Sequence, residues 1–211
     1  FRFKHHYILH ALDSGILCEL LEAMDGRRSV ELTVTGLRSG HDYQRTVCPL
    51  KIYVSTQSGR QYLLGYHYHK GHLIFLRLDA IKKVAAKNPD PHFDRYLEYQ
   101  RKFDQNLWGV STGVELELEH IEMTIRMEPG EEFILQRLER EKRHGTVERL
   151  GEHLCKFSAD VYDAFEMLPW LRTFIGRIVS LQCSNQFVVD QFYEDLRRMD
   201  ALYGGDDDAV Q

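Results

Sequence analysis

Gln61-Tyr62-Leu63-Leu64-Gly65-Tyr66-His67-Tyr68-His69-Lys70-Gly71-His72-Leu73-Ile74-Phe75-Leu76-Arg77-Leu78 decides the fold. Two strand-like runs, 61–68 and 72–78, flank the turn signal Lys70-Gly71, so the stretch reads as a β-hairpin. In the second run Ile74, Leu76 and Leu78 alternate onto one face, as a half-buried strand requires. Phe75 and Arg77 share the other face. An arginine beside an aromatic ring on a small sheet suits a phosphate or a base, and it equally suits a solvated strand face.

Working outward, Ser29–Thr35 and Tyr43–Val54 read as strands, with Pro49 marking a bend or an edge. Residues 80–85 read as a fifth strand, and five short strands at this spacing predict a small barrel. Ahead of them, Ile8, Leu12, Ile16, Leu20 and Met24 recur at i, i+4, which predicts an amphipathic helix over 8–24 ending near Asp25-Gly26. Asn88-Pro89-Asp90-Pro91 is a break. After it, Phe93, Tyr96, Tyr99 or Gln100, Phe103 and Leu107 give a helical side over 92–107.

The second half alternates element types. A strand is predicted over 119–127, and a helix opens after Pro129-Gly130 with acids first and Arg140, Lys142, Arg143 and His144 last, as the macrodipole favours. Strands over 146–150 and 154–161 pair through Gly151, a helix with Pro169 spans 164–174, and a strand covers 177–183. Ser184 is the expected cap of a last helix carrying Val188, Phe192, Leu196, Met199 and Tyr203. This order, β-α-β-β-α-β, is ferredoxin-like. The fold class is therefore α+β, divided as 1–87 (helix and barrel), 88–113 (linker with a helix), 114–205 (ferredoxin-like domain) and 206–211 (a disordered acidic tail).

The 211 residues carry a net charge of −5, split as +6 over 1–88 and −11 over 89–211, and seven of eleven histidines precede residue 89. The first half is thus the candidate for an anionic ligand. No apolar run reaches the roughly 18 residues of a membrane span, and no secretory signal opens the chain, so a cytoplasmic protein is expected. The chain begins at Phe1 and reads as a fragment. Cys18, Cys48, Cys155 and Cys183 are widely spaced, with no C-x-x-C pair, and read as reduced, mostly buried thiols.

No G-x-S-x-G elbow, H-E-x-x-H, P-loop or G-x-G-x-x-G is present, and no enzyme is expected. Glu115, Glu117, Glu119 and Glu122 read as a solvated strand face rather than paired catalytic carboxylates. His67, His69 and His72 invite a metal reading, but no cysteine lies near them, and neither a metal nor another cofactor is expected. In the strand over 43–54, Leu50, Ile52 and Val54 point inward and Lys51 and Tyr53 outward. The candidate ligand-binding residues read from the chain itself are Lys51, Tyr53, His67 and Arg77. A basic and aromatic face of this kind holds single-stranded nucleic acid by stacking and phosphate contacts. Leu168, Trp170 and Phe174 supply either an apolar pairing surface or a packed core.

Val47-Cys48-Pro49-Leu50-Lys51-Ile52, Gln61-Tyr62-Leu63-Leu64-Gly65-Tyr66 and Leu76-Arg77-Leu78-Asp79-Ala80-Ile81 together resemble the WYL domain. Gln61-Tyr62-Leu63 stands where that family has its Trp-Tyr-Leu triplet, so the resemblance adds Tyr62 to the candidate ligand-binding residues. The second half is similar to the C-terminal extension that follows WYL domains, through Leu168-Pro169-Trp170-Leu171 and Gly176. The resemblance implies an Sm-like, SH3-type barrel and a ligand-sensing, oligomerising portion of a bacterial transcription regulator. It implies a nucleotide or single-stranded nucleic-acid ligand, a homodimer, and duplex DNA bound through a winged helix-turn-helix that this stretch lacks. A CRISPR- or RNA-associated accessory protein, or a dimerisation module without a ligand, are the alternatives. Ile74 and Ala80 fill positions that are often arginine in the family, leaving Arg77 of that cluster.

Overall fold

The computed structural model describes residues 14–37, 39–55, 58–113 and 116–204. Residues 8–13 of the predicted first helix, Glu115 and the acidic tail 206–211 lie outside them. The chain divides into two compact units, Phe1–Thr112 and Gly113–Gln211.

In the first unit the described residues form α1 (Ser14–Asp25), then β1 (Arg28–Thr35), β2 (Asp42–Val54), β3 (Gln61–His67) and β4 (His72–Arg77). A 3-10 turn over Leu78–Ala80, β5 (Ile81–Pro89) and α2 (Phe93–Asp104) complete it. The β3–β4 hairpin turns where its sequence directs: Gly71, at φ +73°, donates its N–H to the His67 carbonyl at 2.8 Å. All five strands pair antiparallel in the order β4-β3-β2-β1-β5. The predicted barrel is corrected here to an open sheet, because among the described residues β4 and β5 each pair on one side only. Closure depends on the two outermost strands meeting, which no local periodicity encodes.

Alternation sends two different sets of side chains to the two faces of this sheet. On one face Val30, Leu32, Val34, Val47, Leu63, Ile74 and Leu76 pack with Leu20 and Ala23 of α1, and Leu78 joins them. Each such fully buried aliphatic contributes about 1.5–3 kcal/mol. Ile52 borders this core, whereas Val54, expected inside, is 59% exposed at the strand's end. On the other face lies α2, whose Tyr96 ring stacks on Tyr66 at 4.1 Å and whose Phe103 meets Phe75 at 6.4 Å. Of the side predicted over 92–107, Phe93, Gln100 and Phe103 of α2 are buried, Leu107 is buried beyond the helix end, and Tyr99 is 40% exposed.

The second unit contains β6 (Leu118–Arg126), α3 (Glu132–Glu141), β7 (Thr146–Arg149), β8 (Leu154–Tyr162), α4 (Leu168–Leu171), β9 (Ile178–Cys183) and α5 (Gln186–Tyr203). Its antiparallel sheet has the order β7-β8-β6-β9. The predicted helix over 164–174 is a single α-turn, α4, between 3-10 turns at Ala164–Met167 and Arg172–Phe174, with Pro169 in its first turn. Leu168 and Phe174 are core residues, and half-buried Trp170 packs edge-on against Phe157 and Phe174 at 5.1 and 5.2 Å. The cap of α5 is Asn185 rather than Ser184: the Asn185 Oδ1 accepts the Phe187 N–H at 3.2 Å. Ser184 instead accepts the His120 N–H at 3.0 Å.

Of the cysteines, Cys48 and Cys155 are buried, Cys183 is intermediate and Cys18 is exposed, so burial covers fewer thiols than expected. Burial pushes the Cys48 thiol up to about 12, which keeps it protonated. Among the described residues no helix is long and apolar enough to cross a membrane.

Candidate ligand-binding face

Register brings three of the five candidate residues into one row. Tyr53 pairs with Tyr62 across β2–β3, and Tyr62 pairs with Arg77 across β3–β4. A register shift between Pro49 and Lys51 then sets Lys51 opposite Leu64, and Leu64 opposite Phe75, in the adjacent row. Lys51, Tyr53, Tyr62, Phe75 and Arg77 thus share the sheet face that α2 partly covers.

His67 is the exception. It has the parity of Leu63, not of Tyr62, so it lies at the far end of β3 on the opposite face. Its ring is nearly buried, and its Nδ1 accepts the Lys70 N–H at 3.1 Å. His69 is 6.4 Å away between ring centroids, and among the described residues no three metal-binding side chains converge.

Phe75 is the centre of the candidate face. Tyr53 and Tyr62 meet its ring edge-on at 5.4 and 6.4 Å, and Phe103 closes the group from α2. Arg77 is held by Asp79 through Nε to Oδ1 at 2.9 Å and through Nη2 to Oδ2. The pair is 24% and 14% exposed at its side chains, and the bond to Asp79 raises the guanidinium's pKa further. Both bonds use one edge of the fork, which leaves Nη1 as a charged donor.

Sequence reading missed the partners on α2. Asp104 receives Lys51 Nζ at 2.7 Å, the Tyr53 hydroxyl and Gln100 Nε2. Lys51 also sits over the Tyr53 ring at 4.9 Å. Burial, followed by the Asp104 bond, raises the Tyr53 phenol well above its usual range. The i, i+4 spacing of Gln100 and Asp104 was visible, but their meeting with β2 is a tertiary fact. The chain's own carboxylates therefore pair both cations, Lys51 with Asp104 and Arg77 with Asp79, and Tyr62 lies between Tyr53 and Arg77 in the same row.

Residues 15–86 match the WYL domain family. Among solved structures, the chain is similar to proteasome accessory factor B/C (PafBC) of Arthrobacter aurescens, at 14% identity over 86% of this chain and 26% of that one, with a TM-score of 0.32. It is also similar to a CRISPR Cas-related protein, at 11% identity over 88% of this chain and 50% of that one, with a TM-score of 0.49. The chain thus spans about a quarter of the first protein and half of the second. No curated protein matches it. Over residues 15–86, the chain carries a WYL domain.

Proposed function

We propose that this chain is the ligand-sensing and oligomerisation portion of a bacterial WYL-type transcription regulator, with a nucleotide or single-stranded nucleic acid seated on the Tyr53–Tyr62–Arg77 row. The observation that carries this reading is the register of that row inside a WYL domain. Tyr62 offers a ring to a base, which is worth roughly 1–3 kcal/mol per stacked base. Arg77, oriented by Asp79, offers a permanent charge to a phosphate. Strand order supports the finer fold reading: an Sm-like arrangement left open between β4 and β5, then a ferredoxin-like unit. Phe165 and Phe187, stacked at 5.6 Å and 42% and 60% exposed, support pairing through the second unit.

A ligand acts as a switch only if it binds two states of the protein unequally. The test is a melting screen of the 211-residue chain against nucleotides and short oligonucleotides. A ligand at 100 times its Kd adds about 2.7 kcal/mol of stability, a clear rise in Tm. A panel in which nothing raises Tm counts against the reading.

A further inference from the structure

At the opposite end and face of the same sheet lies a second cleft, of about 560 Å³. Tyr43, Arg45 and Thr46 of β2 line it with His67, Tyr68, His69 and Lys70. The fold assembles it in a simple way. Tyr43, Arg45 and Val47 alternate onto one face of β2, and Val47 pairs with His67. The β3–β4 turn then folds His69 and Lys70 over the same end.

The lining holds Arg45, Lys70 and two histidines and no carboxylate. Among the described residues, none of Arg45, His69 and Lys70 forms a salt bridge. Two carboxylates near this lining are engaged, Asp42 by Lys82 at 2.9 Å and Thr35 at 2.8 Å, and Asp90 by the hydroxyl of Tyr68. The Arg45 guanidinium lies over the Tyr43 ring at 4.7 Å, which fixes its plane. Because His67 Nδ1 accepts a backbone N–H, the neutral ring carries its proton on Nε2 and is a donor without needing to charge. Burial, then Arg45 and Lys70, lower the His67 pKa and keep it in that neutral form.

We infer that this cleft is a phosphoryl-binding site, in which Arg45 and Lys70 supply charge and His67 a neutral donor to the oxygens of a phosphate ester. Arginine matches such oxygens in two parallel bonds, and the cleft's size suits a nucleotide. The site is separate from the Tyr62–Arg77 row: His67 is five residues further along β3, roughly 16 Å, and on the other face.

The test uses the 211-residue chain with His67 and His69 ring resonances as the local reporter. Inorganic phosphate, adenosine monophosphate and a five-nucleotide oligothymidylate are titrated at constant ionic strength against sodium chloride. Saturable shifts of the His67 ring are expected, with affinity falling about 10-fold or more in Arg45→Gln and in Lys70→Gln, as loss of a charge-assisted bond implies. Lys87→Gln, an exposed residue paired with Glu31, controls for net charge and should leave the titration unchanged. Saturation by phosphate and the mononucleotide identifies a free phosphate ester; saturation by the oligonucleotide alone identifies a nucleic-acid backbone, and either supports the site. Shifts that never saturate, or equal affinity in Arg45→Gln and Lys70→Gln, overturn it. So does binding lost in Arg77→Gln but intact in Arg45→Gln.

Discussion

Replacing Asp104 by alanine removes the carboxylate that ties α2 to β2. Three donors lose their acceptor at once: Lys51, Tyr53 and Gln100. Their worth differs with exposure. The Lys51 side chain is 48% exposed, so its ion pair adds at most about 1 kcal/mol. The half-buried Tyr53 hydroxyl donates to a charged acceptor, a bond worth about 1.5–3 kcal/mol. Gln100 is only 5% exposed, and losing its bond to the carboxylate leaves its amide the long 3.4 Å contact to the Tyr53 hydroxyl, at a cost of about 1–2 kcal/mol. These terms overlap because one side chain serves all three, so Asp104→Ala should lose about 2–4 kcal/mol from the first unit. Urea unfolding followed by the fluorescence of Trp108, which is 2% exposed, reads that unit in a Trp170→Phe background. A double-mutant cycle with Tyr53→Phe isolates the phenol bond and should give a coupling of about 1–2 kcal/mol. A coupling below about 0.3 kcal/mol, the usual additivity error, refutes the idea that Asp104 anchors α2 through Tyr53.

Gly145→Ala should unfold the second unit: at φ +94° the added Cβ falls 2.5 Å from the Ser158 carbonyl oxygen and 2.8 Å from the Ala159 Cβ. A loss of at least about 2 kcal/mol is expected in its urea midpoint, and a change under about 0.5 kcal/mol contradicts the packing of that turn. His120 Nδ1 donates to Asp160 Oδ1 at 2.8 Å, and that bond, aided by Glu122, raises its pKa above the ordinary value. Its contribution is therefore complete below about pH 6.5 and lost as pH rises through the folded value; being exposed, it stays under about 1 kcal/mol. The difference in urea midpoint between wild type and His120→Gln should shrink from acid to mildly alkaline pH, and a constant difference is the opposing result. Phe165→Ser with Phe187→Ser should convert a dimer to a monomer in sedimentation, whereas a dimer surviving both changes removes that patch from the interface.

Much of this architecture is local and therefore legible. The hairpin, the alternation of Ile74, Leu76 and Leu78, and the buried side of α2 follow from periods of two and of 3.6. Arg77 was legible for the same reason, and Tyr62 through the family's triplet. His67 lies on the opposite sheet face from Tyr62, and that parity was readable: it follows Leu63 by four residues and Tyr62 by five. What sequence withheld was long-range. The meeting of Asp104 with Lys51 and Tyr53 joins residues roughly fifty positions apart, and the open edges of β4 and β5 depend on the course of the whole sheet rather than on either strand's pattern. The neighbouring polar residues Ser184 and Asn185 both suit a helix cap, and only the observed bonds separate them.

The most direct measurement is a fluorescence-anisotropy titration of the 211-residue chain with a labelled short single-stranded oligonucleotide, beside Arg77→Ala and Tyr62→Ala. Loss of the Arg77 charge, or of the Tyr62 ring, should weaken binding about 10-fold each, as a charge-assisted bond and a base stack imply. Affinities in both variants equal to that of the wild-type chain would contradict a ligand seated on the Tyr53–Tyr62–Arg77 row.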